Sequence, residues 1–209
     1  MRRSLNACLA CLAAGALAIA PAVAAGVDFT AEEKRTLAAG KPVPHELSES
    51  RKGGFYGGTT WVLVDAPVEQ VWAAINDWDR YTRIFPNTYE TTEVSRKGDR
   101  SLVRMKLGHP VISVTYHLEM TRDAAARQLS FKQVSTHASD LDDIRGYWRL
   151  FPQKNGKTLV AYVVAFQVPM GIVNLVGPRL ENEFMNGILG VPKYVKRWTE
   201  KRGAALYGE

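Results

Sequence analysis

Between Thr60 and Val64 the chain runs Thr-Trp-Val-Leu-Val, a composition suited to a strand. The period then changes. Val68, Val71, Trp72 and Ile75 recur at i, i+3, i+4 and i+7, which predicts a short helix with one apolar stripe. Pro67 suits its first position, Asp65 or Ala66 its cap, and Glu69 its first turn, where the helix dipole favours an acid. Asp77 and Asp79 interrupt the stripe. A second short helix is predicted from about Trp78 to Ile84, ending ahead of Pro86 because the residue before a proline avoids the α region. Strand-like runs follow at Tyr89–Ser95, Ser101–Leu107, Val111–Thr121, Gln128–Ser135, Ile144–Phe151 and Thr158–Val168. Short turns such as Lys97-Gly98-Asp99 and Gly108-His109-Pro110 separate them, with no helix between, so the strands should form an antiparallel meander. Helical spacing then returns: Leu180, Phe184, Ile188, Val191, Val195 and Trp198 make one stripe with charges mostly off it. Pro192 should kink or split this helix, and Gly187 and Gly190 loosen the same turn.

The segment ahead of this pattern reads differently. Residues 26–58 form a leader. Thr30 with Glu33 three residues on makes a capping box, and Gly40 supplies a C-terminal stop for a helix of about two turns. Val43–Ser48 suits an edge strand, because its prolines and polar residues exclude a central one. Arg51 to Gly58 reads as a flexible turn. Residues 1–25 carry the marks of a cleavable signal peptide: Arg2 and Arg3, an uncharged apolar run from Leu5 to Ile19, Pro21, then Ala22-Val23-Ala24. The run is shorter than the roughly 20 residues that cross a bilayer. Cleavage there implies a periplasmic or secreted protein. The expected architecture is α+β: a curved antiparallel sheet of about seven strands, two short helices after the first strand, and a long C-terminal helix laid on the sheet, all within residues 59–205.

Composition changes this picture little. Cys8 and Cys11 both lie in the predicted signal peptide, so the exported chain is expected to have no thiol or disulfide and to rely on its core. Roughly 185 residues suffice for one domain. Removing Arg2 and Arg3 lowers the formal charge of +6 by two. The remaining excess forms no basic stripe of the kind nucleic-acid binding requires. Mild attraction to anionic lipid headgroups and ordinary solubility are equally consistent with it.

The stretch "VDAPVEQVWAAINDWDRYTRIFPN", then strands containing "GYWRLFP" and "GKTLVAYVV", then the long amphipathic helix, resembles the START-like (SRPBCC) superfamily. This is the helix-grip fold shared by polyketide cyclases, coenzyme Q-binding proteins and the birch-pollen allergen family. The resemblance covers about Thr59 to Arg202. Its most specific marks are Ala66, Pro67, Val71, Trp72, Asp77, Tyr81 and Pro86, and the leader is similar to that of exported bacterial members. It implies a hydrophobic cavity between sheet and C-terminal helix that holds lipids, sterols, quinones or polyketides. Only a minority of members are enzymes, and the family has no universal catalytic residue to carry over.

The residues themselves offer little catalytic chemistry. His45 lies in the leader, His109 in a turn and His137 in an acidic loop with Asp140, Asp142 and Asp143, which lacks calcium-loop spacing. His117 is predicted to face solvent, opposite Val114, Tyr116 and Leu118. Arg145 and Arg149 are placed outward if Trp148 and Leu150 face inward; the reverse register would let them hold an anionic head group. Neither a metal nor a cofactor is called for. The expected ligand-binding residues are Tyr116, Phe131, Trp148, Tyr162, Phe166, Phe184, Ile188 and Trp198. The expected function is periplasmic binding and transfer of a hydrophobic, lipid-like small molecule, with transient membrane-surface contact and no nucleic-acid partner. The alternative is a cyclase or aromatase acting on a polyketide-like substrate in the same cavity, and a third reading is a filled domain with a structural role.

Overall fold

The computed structural model of the chain describes residues 27–47, 50, 55–108, 113–169 and 178–208. The predicted signal peptide lies outside these, as do His109, Pro110 and most of the turn after Pro169. Helix α1 (Ala31–Ala38) precedes strands β1 (Val43–Glu46) and β2 (Phe55–Val64). Then come α2 (Val68–Ile75), a 3-10 turn at Trp78–Arg80 and α3 (Tyr81–Ile84). Strands β3 (Thr88–Lys97), β4 (Arg100–Gly108), β5 (Ser113–Asp123), β6 (Gln128–Gln133), β7 (Asp143–Pro152) and β8 (Thr158–Gln167) complete the sheet. Helices α4 (Pro178–Leu189) and α5 (Val191–Tyr207) end the chain. The eight strands form one antiparallel sheet in the order β1-β2-β8-β7-β6-β5-β4-β3. This is the expected α+β helix-grip architecture, with the edge strand β1 raising the count from seven to eight.

The concave face packs the main core. Val62, Val64, Val103, Leu129 and Val160 from the sheet meet Val71 and Ile75 of α2, Met185 of α4 and Val195 of α5, all fully or almost fully buried. Alternation along each strand produces this: β8 turns Val160, Tyr162, Val164 and Phe166 inward. The opposite face carries a second, smaller cluster. Trp61, Val43 and Ala161 are covered there by Leu37 of α1, with Phe29 edge-on to Trp61 at 5.3 Å and Phe151 stacked on it at 6.0 Å. The leader is thus packed against the back of the sheet. Its capping box forms as expected: the Thr30 N–H donates to Glu33 Oε2 at 2.7 Å and the Glu33 N–H to Thr30 Oγ1 at 3.2 Å. His45 sits 2.7 Å from Glu33 Oε1 and pins β1 to the helix.

Three local expectations need correction. Phe55–Gly58, read as part of a turn, makes up the first four residues of β2. Gly57 and Gly58 are there because other groups come close: a Cβ on Gly57 would lie 2.8 Å from Leu47 Cδ1, and one on Gly58 2.7 Å from Leu189 Cδ2. Pro67 is the N-cap of α2 rather than its first residue, with no side-chain cap from Asp65 or Ala66. In the C-terminal stripe, Phe184 is 41% exposed while Met185 beside it is completely buried.

The expected break near Pro192 splits the C-terminal helix at Gly190. Pro192 has no N–H, and the Lys193 N–H donates to the Gly190 carbonyl at 3.1 Å. The Leu189 carbonyl is taken instead by Thr60 Oγ1, which donates to it at 2.8 Å from a position with no solvent exposure. One hydroxyl on β2 therefore holds the point where the two helices meet. Lower down, Lys196 Nζ donates to the Leu63 carbonyl at 3.0 Å and the Asp65 N–H donates to Glu200 Oε1 at 2.8 Å, tying α5 to the end of the same strand.

Candidate functional site

Between the concave sheet and α4–α5 lies a cavity of about 300 Å³. Its floor is built from alternate residues of the central strands: Met105 and Leu107 on β4, Val114, Tyr116, Leu118 and Met120 on β5, Phe131 on β6, Ile144 and Trp148 on β7, and Tyr162, Val164 and Phe166 on β8. Phe184, Gly187 and Ile188 of α4 with Val191 and Tyr194 of α5 form the roof. Tyr81, Phe85, Pro86, Asn87 and Thr88 close one end. Gly146 makes this floor possible, since a Cβ there would lie 2.6 Å from the Phe131 ring and collide with the Val163 carbonyl. The volume sits at the lower end of the range for small-molecule sites, about 300–1,000 Å³. It is twice the roughly 150 Å³ cavity that accepts a benzene ring.

Seven of the eight residues expected at the site line this cavity; Trp198 does not. The helix break explains the difference. After Gly190 the cavity-facing positions of α5 are Val191 and Tyr194, and Val195 and Trp198 turn toward α2 and the end of the core. The Trp198 Nε1–H donates to the Tyr207 hydroxyl at 3.2 Å, and Tyr207 donates in turn to Asp77 Oδ2 at 2.8 Å. Burial is the main cause that pushes the Tyr207 phenol up to about 12. Trp198 is part of a clamp that fixes the end of α5, not a wall of the cavity. Among the lining residues that sequence reasoning missed are three phenols, Tyr56, Tyr81 and Tyr194. Tyr194 alone left a signal, the i+3 spacing Val191–Tyr194.

The wall is largely aromatic. Trp148 and Tyr162 lie 4.3 Å apart, Phe131 stacks over Tyr162 at 6.2 Å, and Tyr56 stacks on Phe166 at 5.5 Å. Phe184 stands edge-on to both Tyr56 and Phe166, at 5.5 and 5.4 Å. Its polar members are mostly phenols. Burial holds Tyr81, Tyr116 and Tyr162 well above the usual phenol range, so all three stay neutral donors at physiological pH. Tyr81 donates to the Ile75 carbonyl at 2.6 Å.

The other chemistry lies elsewhere. His117 is on the outer face, as its register implied; its ring is 4.7 Å from that of His137 and its Nδ1 3.2 Å from the Ala138 carbonyl. Arg145 also lies on the outer face, in a polar groove with Glu119, Lys132 and Asp143, and Arg149 lies over Phe151 at 5.6 Å. The inward register is held by Gly146, Trp148 and Leu150, so neither arginine reaches the cavity. Arg122 does point inward, at the closed end beyond Met120. Its guanidinium donates to Asn76 Oδ1 and Ser101 Oγ, both at 2.9 Å, and covers the Trp78 ring at 4.9 Å. It joins α2 to the sheet. Among the described residues no three His, Cys, Asp or Glu side chains gather in a way that would hold a metal ion.

Known proteins of this shape give the comparison. TTHA0849, a protein from Thermus thermophilus, superposes with a TM-score of 0.58 at 17% identity, covering 70% of this chain and 96% of that one. The Zhui aromatase/cyclase from Streptomyces sp. R1128 gives 0.52 at 20% identity, over 69% of this chain and 95% of that one. A STAR-related lipid transfer protein from Xanthomonas axonopodis gives 0.52 at 11% identity, over 74% and 97%. At these identities the likeness is one of fold. No curated protein matches the sequence. The family model described as polyketide cyclase / dehydrase and lipid transport matches residues 64–188, which takes in every element from the end of β2 into α4. With more than half of the chain matched and the helix-grip architecture around the cavity, this protein belongs to the polyketide cyclase/dehydrase and lipid transport family.

Proposed function

We propose that this protein binds a hydrophobic, lipid-like small molecule in the cavity under α4 and α5, and transfers it within the periplasm. The observation that carries the reading is the wall: a space of about 300 Å³ faced by aromatic and aliphatic side chains from the sheet and both C-terminal helices. Burying roughly 300 Å² of apolar ligand surface at about 25 cal/mol per Å² yields about 7 kcal/mol, which corresponds to micromolar affinity before ordering costs. The rim supports exchange at a membrane surface. Phe184 is 41% exposed there, and Lys193 and Arg197 lie over Tyr194 at 4.9 and 5.4 Å, a mixture of aromatic and basic groups suited to an anionic leaflet. The periplasmic location rests on the charge, apolar run and Ala22-Val23-Ala24 pattern at the N-terminus. Incubating the purified protein with a total lipid extract, re-isolating it and extracting what it retains tests the reading. Retention of a hydrophobic molecule that a cavity-filling Val164→Trp variant does not retain supports it; no retention sinks it.

The family description and the phenols on the wall favour a second reading, a cyclase or aromatase acting on a polyketide-like substrate. Neutral phenols can hold a carbonyl by hydrogen bonding. Faster aromatisation of a poly-β-ketone by the protein than by buffer, followed by absorbance, would favour the enzyme over the carrier.

A further inference from the structure

We infer that Tyr116 and Tyr162 form a polar pair inside the cavity that selects ligands carrying a carbonyl or hydroxyl oxygen on a flat, otherwise apolar ring system. This rests on the cavity being a ligand site, and it names the chemistry that site prefers.

The two phenols stand out by what they lack. Several buried hydroxyls elsewhere around the core find partners: Thr60 donates to the Leu189 carbonyl at 2.8 Å, Thr158 to the Ala66 carbonyl at 2.9 Å, and Tyr81 to the Ile75 carbonyl at 2.6 Å. Tyr116 and Tyr162 are 3% and 7% exposed, yet neither hydroxyl has a hydrogen-bond partner among the described residues. Nor is either oxygen packed in against neighbouring atoms, as the unpartnered hydroxyls of Thr91 and Thr199 are. Thr91 and Thr199 do not line the cavity, and Tyr116 and Tyr162 do. A buried Tyr hydroxyl normally finds a partner. Here two of them open on the same space from β5 and β8, close enough that the charge of one would oppose ionisation of the other.

The surroundings select the shape of the partner. Trp148 lies 4.3 Å from the Tyr162 ring on one side and Phe131 stacks over it at 6.2 Å. Leu118, Met105 and Val164 supply the rest of the wall. A flat ring system can lie against these surfaces and present an edge oxygen to both phenols. Each neutral phenol donates one hydrogen bond to a carbonyl, or donates to and accepts from a hydroxyl. An aliphatic chain fills the same volume but leaves both hydroxyls unpaired. In a dry site the unpaired groups, not the apolar wall, set the discrimination.

The test uses the whole protein and two probes, naphthalene and naphthol, with dissociation constants from equilibrium dialysis. The readout is the ratio of the naphthalene constant to the naphthol constant, compared between wild type and variants so that the probes' own hydrophobicity cancels. Tyr116→Phe and Tyr162→Phe should each lower the ratio about fivefold, the effect of one neutral hydrogen bond. The double variant should melt no lower than wild type, because it removes two unpartnered hydroxyls and keeps both rings. A ratio unchanged in the double variant, with both probes still bound, overturns the inference and leaves the hydrophobic-binding reading standing. A lower melting temperature for the double variant also overturns it, since that would make the hydroxyls structural. Failure of wild type to bind either probe overturns both.

Discussion

Thr60→Val removes the hydrogen bond that holds the junction of α4 and α5. The side chain has no solvent exposure, and its hydroxyl donates to the Leu189 carbonyl at 2.8 Å. No backbone group replaces it, because Pro192 has no N–H and the Lys193 N–H is committed to Gly190. Valine has nearly the same shape, so the change leaves no cavity and isolates the loss of the donor. An unpaired buried carbonyl costs about 1–3 kcal/mol. In a domain of this size that lowers the melting temperature by about 2–4 °C for each kcal/mol, so about 2–12 °C in all. The roof of the cavity is fastened at this point, so dissociation of a fluorescent anilinonaphthalene dye should also speed up, by about fivefold for each kcal/mol lost. Thr60→Ser separates the two contributions. It keeps the donor and loses one buried methyl, about 1 kcal/mol, so it should lower the melting temperature while leaving the dye's off-rate near that of wild type. Scanning calorimetry and stopped-flow displacement give both numbers. A Thr60→Val protein with wild-type melting temperature and off-rate would refute the role of this contact, as would a serine variant that releases dye as fast as the valine one.

Other outcomes follow from the same geometry. Trp198→Phe should lose the bond to Tyr207 and about 1 kcal/mol of stability in a denaturant titration, with ligand affinity unchanged; a large loss of affinity would put Trp198 back on the cavity wall. Pro192→Ala supplies the missing N–H and allows α4 to run into α5, so ligand exchange should slow; an unchanged rate counts against the break as a gate. Gly146→Ala must displace Phe131 and the Val163 carbonyl, and should cost about 1–3 kcal/mol and weaken probe binding together. Acid should loosen the leader. Burial opposes ionisation of Glu33, but its bonds to Thr30 and His45 win and hold it below its ordinary 4.5. Its contribution to stability is therefore complete above about pH 4.5 and is lost as pH falls through the lower folded-state value. Hydrogen exchange in α1 should rise below that point, and Glu33→Gln should remove the pH dependence.

Much of this fold could be read from spacing alone. The strands after Pro86 carry turn residues between them, and the observed boundaries fall close to the expected ones. The Thr30–Glu33 box and the break at Pro192 were equally legible, since both depend on local backbone chemistry. What failed to show depends on contacts distant in sequence. Gly57 and Gly58 looked like turn residues because glycine serves both turns and close approaches, and only the positions of Leu47 and Leu189 tell which. Tyr56 was lost with them. Trp198 was placed on the cavity because a single stripe was carried through Pro192, whereas the break lets Tyr194 face the cavity in its stead. The pairing of Tyr116 with Tyr162 joins strands that are not neighbours in the sheet and has no sequence signature; it comes from the curvature that brings β5 and β8 to one space.

Native mass spectrometry of the protein purified from its own host, before and after organic extraction, bears most directly on the claim that the cavity is a ligand site. The account predicts a population carrying one non-covalent adduct that extraction removes, and an extracted molecule that rebinds wild type but not a cavity-filling Val164→Trp variant. A protein that is adduct-free from its host and takes up nothing from a total lipid extract would contradict it.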